Sequence, residues 1–184
     1  HSPDVLLIAP VLFEGTLVGF CGSIAHKFDF GGAVPGSAHS GATELFQEGL
    51  VLPIMKFYDR GKLVSQVEDV IRANVRNPDL VLGDLGAQIG ATHLGVERVK
   101  GFAKRFGPEV LANAFEDTLA ASEKRVRMHI SRWPGKVAEA EAFLDPTPNH
   151  NRPVRIHLQV VRDGGHLTFD FNQSDPQVRS PVNI

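Results

Sequence analysis

Apolar residues crowd positions 5–13, where Val5, Leu6, Leu7, Ile8, Val11, Leu12 and Phe13 are interrupted only by Ala9 and Pro10. A short apolar run with β-branched members is the pattern of a buried strand. Glu14 and Gly15 supply a turn signal, and residues 16–25 then alternate. Val18, Phe20 and Ile24 fall on one face, with the small Gly19, Cys21, Ser23 and Ala25 between them. The two runs predict a β-hairpin. Residues 29–41 hold Gly31, Gly32, Pro35, Gly36 and Gly41, too many breakers for regular structure. A loop so rich in glycine predicts that backbone approaches something closely.

The pattern then turns helical. Val67, Val70, Ile71 and Val75 recur at helical spacing, which puts residues 69–76 in a short helix ended by Asn77 and Pro78. Two longer helices are predicted over 83–106 and 109–133. The first has a stripe of Leu85, Ile89, Val96, Val99 and Phe106, the second one of Leu111, Phe115, Leu119, Val126, Ile130 and Trp133. Their joint at Gly107 and Pro108 predicts antiparallel packing. The first also carries Gly83, Gly86, Gly90, Gly95 and Gly101. Each interior glycine destabilises a helix by about 0.5–1 kcal/mol relative to alanine. Gly86 and Gly90, four apart, are therefore expected against a neighbouring helix or chain.

Residues 145–153 form a polar connection, and 154–160 and 167–171 alternate around a turn at 162–165, a second hairpin. The predicted fold class is α+β, with β-hairpins flanking a helical middle, as a fragment of a larger α/β subunit. Residues 1–184 are expected to be a central segment of one domain, since the chain opens on His1 rather than Met.

Composition narrows the function classes. With 184 residues the chain can bury one sizeable core, or at most two small ones, and 42% hydrophobic and 22% charged residues are ordinary for a globular protein. A net charge of -2 and the lack of any Lys/Arg-rich run argue against a nucleic-acid partner. The single cysteine, Cys21, rules out an intrachain disulfide framework and suits a reducing cytoplasm. No apolar run reaches the length of a membrane span and no signal peptide is visible, so the expected location is cytoplasmic.

The hairpin brings chemistry together. A two-residue turn at Glu14 and Gly15 places Asp4 opposite Ala25; a three-residue loop or one bulge, which Pro10 makes plausible, places it opposite His26. His1 sits at the same end. Two imidazoles and a carboxylate then converge, a ligand set used by zinc, manganese or iron, which the sequence does not distinguish. His93 is expected to be a helix-packing residue, and His129 and His157 to face solvent. Cys21 is expected to be packing rather than a nucleophile. Glu44 and Glu48, one helical turn apart, would suit a carboxylate pair but are ordinary on a helix surface. The glycines at 31–41 lack the Lys-Ser/Thr ending of a nucleotide-binding P-loop.

The ordered strings resemble one family. His1 and Asp4, followed by Pro10, Val11 and Phe13 and by Gly19 and Phe20, resemble its H-x-x-D, P-V-F and G-F. His26, Asp29, Gly31 and Gly32, then Pro35, Gly36 and Ser37, are similar to H-x-x-D-x-G-G and P-G-S. Gln47, Glu48, Gly49, Leu50 and Pro53 match Q-E-G-L-x-x-P. Asn74, Arg76 and Pro78 match N-x-R-x-P, and Gly83, Asp84, Leu85, Ala87 and Gln88 match G-D-L-x-A-Q. Asp170, Phe171, Ser174, Pro176, Gln177 and Asn183 resemble a closing D-F-x-G-[ST]-x-P-Q and G-x-x-N, with Gln173 and Ser180 standing where the family writes glycine. The resemblance is to the hydantoinase B/oxoprolinase family and covers essentially the whole chain.

That resemblance implies a B-type subunit working with an A-type subunit or domain that binds ATP and phosphorylates the substrate. It implies a divalent metal held by His1, Asp4 and His26, and a further ligand from sequence preceding His1. The implied activity is ATP-dependent hydrolysis of a cyclic amide (a hydantoin, oxoproline or lactam); the alternatives are a subunit of an acetone- or acetophenone-type carboxylase, or a non-catalytic assembly segment. Asp29 is either an outer residue that orients an imidazole or a turn-forming aspartate. No catalytic residue is identified.

Overall fold

The fold comes from a computed structural model that describes residues 3–182. His1, Asn183 and the roles expected of them lie outside the described residues. The chain forms two compact units, residues 1–108 and 109–184.

In the first unit, β1 (Asp4–Phe13) and β2 (Thr16–His26) pair antiparallel. Glu14 and Gly15 have φ of 49° and 81°, and positive φ at both positions is what a type I′ turn needs to match strand twist. Phe13 pairs with Thr16 and Leu12 with Leu17, but Val11 pairs with Gly19. Val18 is thus an extra residue, a bulge that sets every later pair up to Asp4 opposite His26. The single expected bulge exists, in β2 rather than at Pro10, which pairs regularly with Phe20.

The hairpin is apolar on both faces. Val5, Leu7, Ala9, Val11, Cys21, Ser23 and Ala25 form its more buried face, whereas Leu6, Ile8, Phe20 and Ile24 are 54–66% exposed. Small residues on β2 let a helix approach. A Cβ at Gly95 would lie 3.0 Å from Cys21 Sγ, so Cys21 is packing, as its sequence context predicts. Gly86 and Gly90 have nothing within 4 Å of a built Cβ; the close approach expected of them is made by Gly95 instead.

A small hairpin, β3 (Tyr58–Asp59) with β4 (Lys62–Leu63), precedes α1 (Ser65–Asn74). That helix starts before Asp69 and stops short of Arg76, burying Val67 and Ile71 and leaving Val70 exposed. α2 (Pro78–Phe106) begins five residues earlier than its stripe predicts. Pro78 tolerates a first-turn position because its missing N–H has no helical partner there, and Asn77 Oδ1 accepts from Leu80 N at 3.3 Å. The Asn77-Pro78 pair ends one helix and opens the next. Phe30, Val67, Ile71, Val75, Val81 and Leu85 make the core, with Val5 and Leu7 of the hairpin packed against it.

The second unit contains α3 (Pro108–Ser131), apart from its first residue, and a three-stranded sheet in the order β5-β6-β7. These strands are Val137–Leu144, Val154–Asp163 and His166–Asp170, all antiparallel. The hairpin around Gly164 was expected; β5, an alternation of alanine with glutamate, was not. Phe115, Leu119 and Val126 of α3 remain exposed; in the first unit Leu85 of α2 belongs to the core and Val96 is buried, whereas Phe106 is 50% exposed. His157 is also corrected: it is only 7% exposed, its N–H donating to Ser174 Oγ at 3.0 Å. His129 is exposed as expected. The architecture is α+β, with hairpins flanking a helical middle, and no helix among the described residues is long and apolar enough to cross a membrane.

Candidate metal centre

Strand parity places the candidate ligands. Asp4, Leu6 and Ile8 share the outer face of β1, and Ile24 and His26 the same face of β2. Asp4 Oδ1 lies 2.9 Å from His26 Nδ1, with the two side chains 41% and 57% exposed. His1 is outside the described residues, and among those described no third His, Cys, Asp or Glu completes a cluster. The pair still fits a divalent cation as a partial set. One oxygen and one nitrogen donor, each about 2.1 Å from a shared ion, can stand at this separation.

Behind the pair lies an anchor. Lys27 N–H donates to Pro3 O at 2.8 Å, closing the hairpin end beyond Asp4 and His26. Its side chain turns to the inner face, 1% exposed, where Nζ donates to Gln88 Oε1. Gln88 Nε2 donates in turn to Val5 O and Ser23 O, both at 3.1 Å, so one α2 side chain holds both strands. Burial pushes the Lys27 ammonium below the usual lysine range, with the negative charge of Asp84 acting in the opposite sense. Sequence reasoning does not single out Lys27, and names Gln88 only as the last residue of the G-D-L-x-A-Q string, without a role. The available signals were strand parity, which carries Lys27 inward, and the position of Gln88 between buried Leu85 and Thr92.

Asp29 organises the glycine-rich loop. It is 3% exposed; Oδ1 accepts from Gly31 N at 2.9 Å and Oδ2 from Gly36 N at 2.8 Å. Arg76 Nη1 donates to Oδ2 at 3.0 Å, and its Nη2 to Gly32 O at 2.8 Å. Burial would raise the carboxyl pKa, but the amides of Gly36 and Gly31 and the Arg76 guanidinium outweigh it and hold the group below the usual range. Both carboxylate oxygens are thus engaged by loop amides and Arg76. Ser37 Oγ accepts from Phe30 N and donates to Gly31 O, at 2.8 and 2.7 Å.

The close approach expected of this loop is to the chain itself. Gly31 and Gly32 have φ of 85° and 86°, and a Cβ on them would sit 2.6 Å from Asn74 O and 2.7 Å from Gln47 O. Ala33 N donates to Gln47 O, and Leu50 N to Phe30 O, both at 2.8 Å. Strings far apart in sequence therefore interlock: Asp29 with Arg76, Gly32 with Gln47, and Lys27 with Gln88. Glu44 and Glu48 are not on an α-helix; Glu44 precedes a short turn, Leu45–Gln47, whose Gln47 Oε1 accepts from Thr43 N at 2.7 Å. His93 is exposed and meets Tyr58 edge-on, with ring centroids 5.9 Å apart. In the second unit Arg155 Nη1 donates to Gln173 O at 2.9 Å, and Ser180 is buried with Oγ 2.7 Å from Thr147 Oγ1. The two departures from glycine therefore occupy ordered, bonded positions.

The chain belongs to the hydantoinase B/oxoprolinase family, which it matches over residues 1–184. It is 35% identical over 190 residues to a protein of Pseudomonas sp. strain NS671 provisionally named as the B-type subunit of a D-/L-hydantoinase, covering 100% of this chain and 32% of that one. It is 27% identical over 185 residues to the acetophenone carboxylase delta subunit of Aromatoleum aromaticum, covering 100% of this chain and 27% of the relative. The crystal structure of the ATP-dependent caprolactamase of Pseudomonas jessenii superposes with a TM-score of 0.90 at 25% identity, over 98% of this chain and 31% of that one. The chain thus spans about a third of the length of these relatives.

Proposed function

We propose that this chain carries the metal-binding part of a catalytic subunit that opens a cyclic amide ring, acting with an ATP-binding A-type subunit or domain in the cytoplasm. The observation that carries the reading is the Asp4–His26 pair, 2.9 Å apart and held at the end of a hairpin whose register depends on a bulge. The relatives named as a caprolactamase and as part of a hydantoinase support the amide class.

Ring amides resist hydrolysis because the carbonyl is resonance-stabilised. Phosphorylation of the carbonyl oxygen by the ATP-using partner yields a better electrophile. A divalent ion held by Asp4 and His26, together with His1, would supply a Lewis acid at that centre. The rest of the chain fixes the pair: Lys27 and Gln88 tie the hairpin end to α2, and Asp29 and Arg76 hold the adjoining loop. No side chain is assigned a proton-transfer role.

The similarity to a carboxylase subunit favours a second reading, in which the same activation serves carboxylation of a ketone. The test is ATP hydrolysis by the intact protein with its partner, measured against hydantoins, oxoproline, lactams, acetone and acetophenone with bicarbonate. Stimulation by a cyclic amide, with ring-opened product, supports the first reading. Ketone- and bicarbonate-dependent turnover supports the second, and no stimulation while the assembled complex stays intact points to a non-catalytic assembly segment.

A further inference from the structure

A lysine with 1% exposure beside a candidate cation site is an unusual use of a charge. Lysine is almost never fully buried, because removing an ammonium from water is costly and an apolar side chain of the same length would fill the space without that penalty. Here the charge has one hydrogen-bonded side-chain partner, Gln88 Oε1, and a facing negative charge at Asp84 one helical turn earlier. Gln88 then spends its amide on carbonyls of both strands. The sequence neighbours of these bonded groups are the candidate ligands themselves: Lys27 follows His26, Val5 follows Asp4, and Lys27 N–H closes on Pro3 O.

We propose that Lys27 and Gln88 are positioning residues for the cation site, a clamp that holds Asp4 and His26 in one register so that they act as a chelating pair. The physical need is clear from the pairing. The hairpin is a two-stranded sheet whose bulge lies far from the site, at Val18 opposite Val11 and Leu12, so the open end has no turn of its own to hold it. A slip of one residue at that end would move an imidazole or a carboxylate to the opposite face. Gln88, bonded to both strands, opposes such a slip, and Lys27 holds the Gln88 amide in the orientation that does so.

This inference rests on the metal reading above, and its test separates the two. Manganese(II) and zinc(II) affinity of the intact protein is measured by calorimetry for the unaltered chain, for Asp4→Ala and His26→Ala, and for Lys27→Met, Gln88→Leu and the double variant. Melting temperatures are taken in parallel without metal. The expected result is a 10–100-fold loss of affinity for Lys27→Met and for Gln88→Leu, in the range seen when groups supporting a metal ligand are removed. The double variant loses no more than either single change, because both act through one clamp. Its melting temperature falls no further than that of Gln88→Leu, because the loss of the donors to Val5 O and Ser23 O is common to both and the Lys27 charge is removed together with its partner. That combination is what a merely structural role would not give. If Asp4→Ala and His26→Ala leave cation affinity unchanged, the metal reading fails. If those two abolish binding while Lys27→Met and the double variant bind within twofold of the unaltered chain, the clamp is wrong. Affinity losses that only track falling melting temperatures, or that add in the double variant, also overturn it.

Discussion

Asp4 faces His26 across the open end of the hairpin because one residue, Val18, is left out of the ladder eight residues before His26. Without that bulge the turn at Glu14 and Gly15 would set Asp4 opposite Ala25. A paired deletion follows. Removing Val18 takes away the extra residue and leaves Val11 opposite Gly19, so Asp4 still meets His26 and cation affinity is retained. Removing Gly22 instead brings His26 opposite Val5, on the other face, and binding is lost. Calorimetric titration of the two deletion variants with manganese(II) checks this, with circular dichroism reporting on the fold.

Asp29 makes an acid-stability prediction. Its folded pKa lies below the ordinary carboxylate value of about 3.9, so its contribution is fully present above that value and is lost as pH falls through the lower folded pKa. Asp29→Asn should lower stability near neutral pH by about 1–3 kcal/mol, discounted because Arg76 is 40% exposed. The difference between variant and unaltered chain should shrink as pH is lowered through the acid range. Urea unfolding at a series of pH values measures it; a constant difference down to the lowest pH would speak against the charge of Asp29.

The glycines divide into two groups with opposite expected signs. Gly31→Ala and Gly32→Ala force a side chain into positive φ and against backbone oxygens at 2.6–2.7 Å. Each should destabilise by roughly 2–4 kcal/mol or prevent folding. Gly86→Ala and Gly90→Ala meet open space within 4 Å and should stabilise α2 by about 0.5–1 kcal/mol each. Thermal melts of the four single variants decide between these signs.

The hairpin was legible because Glu14 and Gly15 mark its turn, which narrows the partner of Asp4 to Ala25 or His26; the bulge that selects His26 lies at Val18, where the sequence gives no signal, and Pro10 pairs regularly with Phe20. Which face is buried was less legible. Both faces are apolar, so hydrophobicity could not say that Cys21, Ser23 and Ala25 turn inward while Phe20 and Ile24 remain exposed. β5 was missed because alternating alanine and glutamate is a weak strand signal with helix-favouring residues. Lys27 was missed because a lysine is read as solvent-facing by default, although strand parity carries it inward, where it meets Gln88, 61 residues away. Asp29 carries two alternative roles in the sequence, and its bonds to Gly31, Gly36 and Arg76, which no local pattern announces, tie it to the glycine-rich loop.

The central claim is that Asp4 and His26 share a divalent cation, and metal content tests it most directly. The intact protein, purified with its partner and without chelator, is analysed by elemental mass spectrometry beside Asp4→Ala and His26→Ala. The account predicts about one zinc, manganese or iron ion per unaltered chain and little or none in either variant. Their melting temperatures after chelator treatment should be unchanged, because both side chains are exposed. Full metal occupancy in both variants, or a metal-free unaltered protein that takes up none of the three ions, would contradict it.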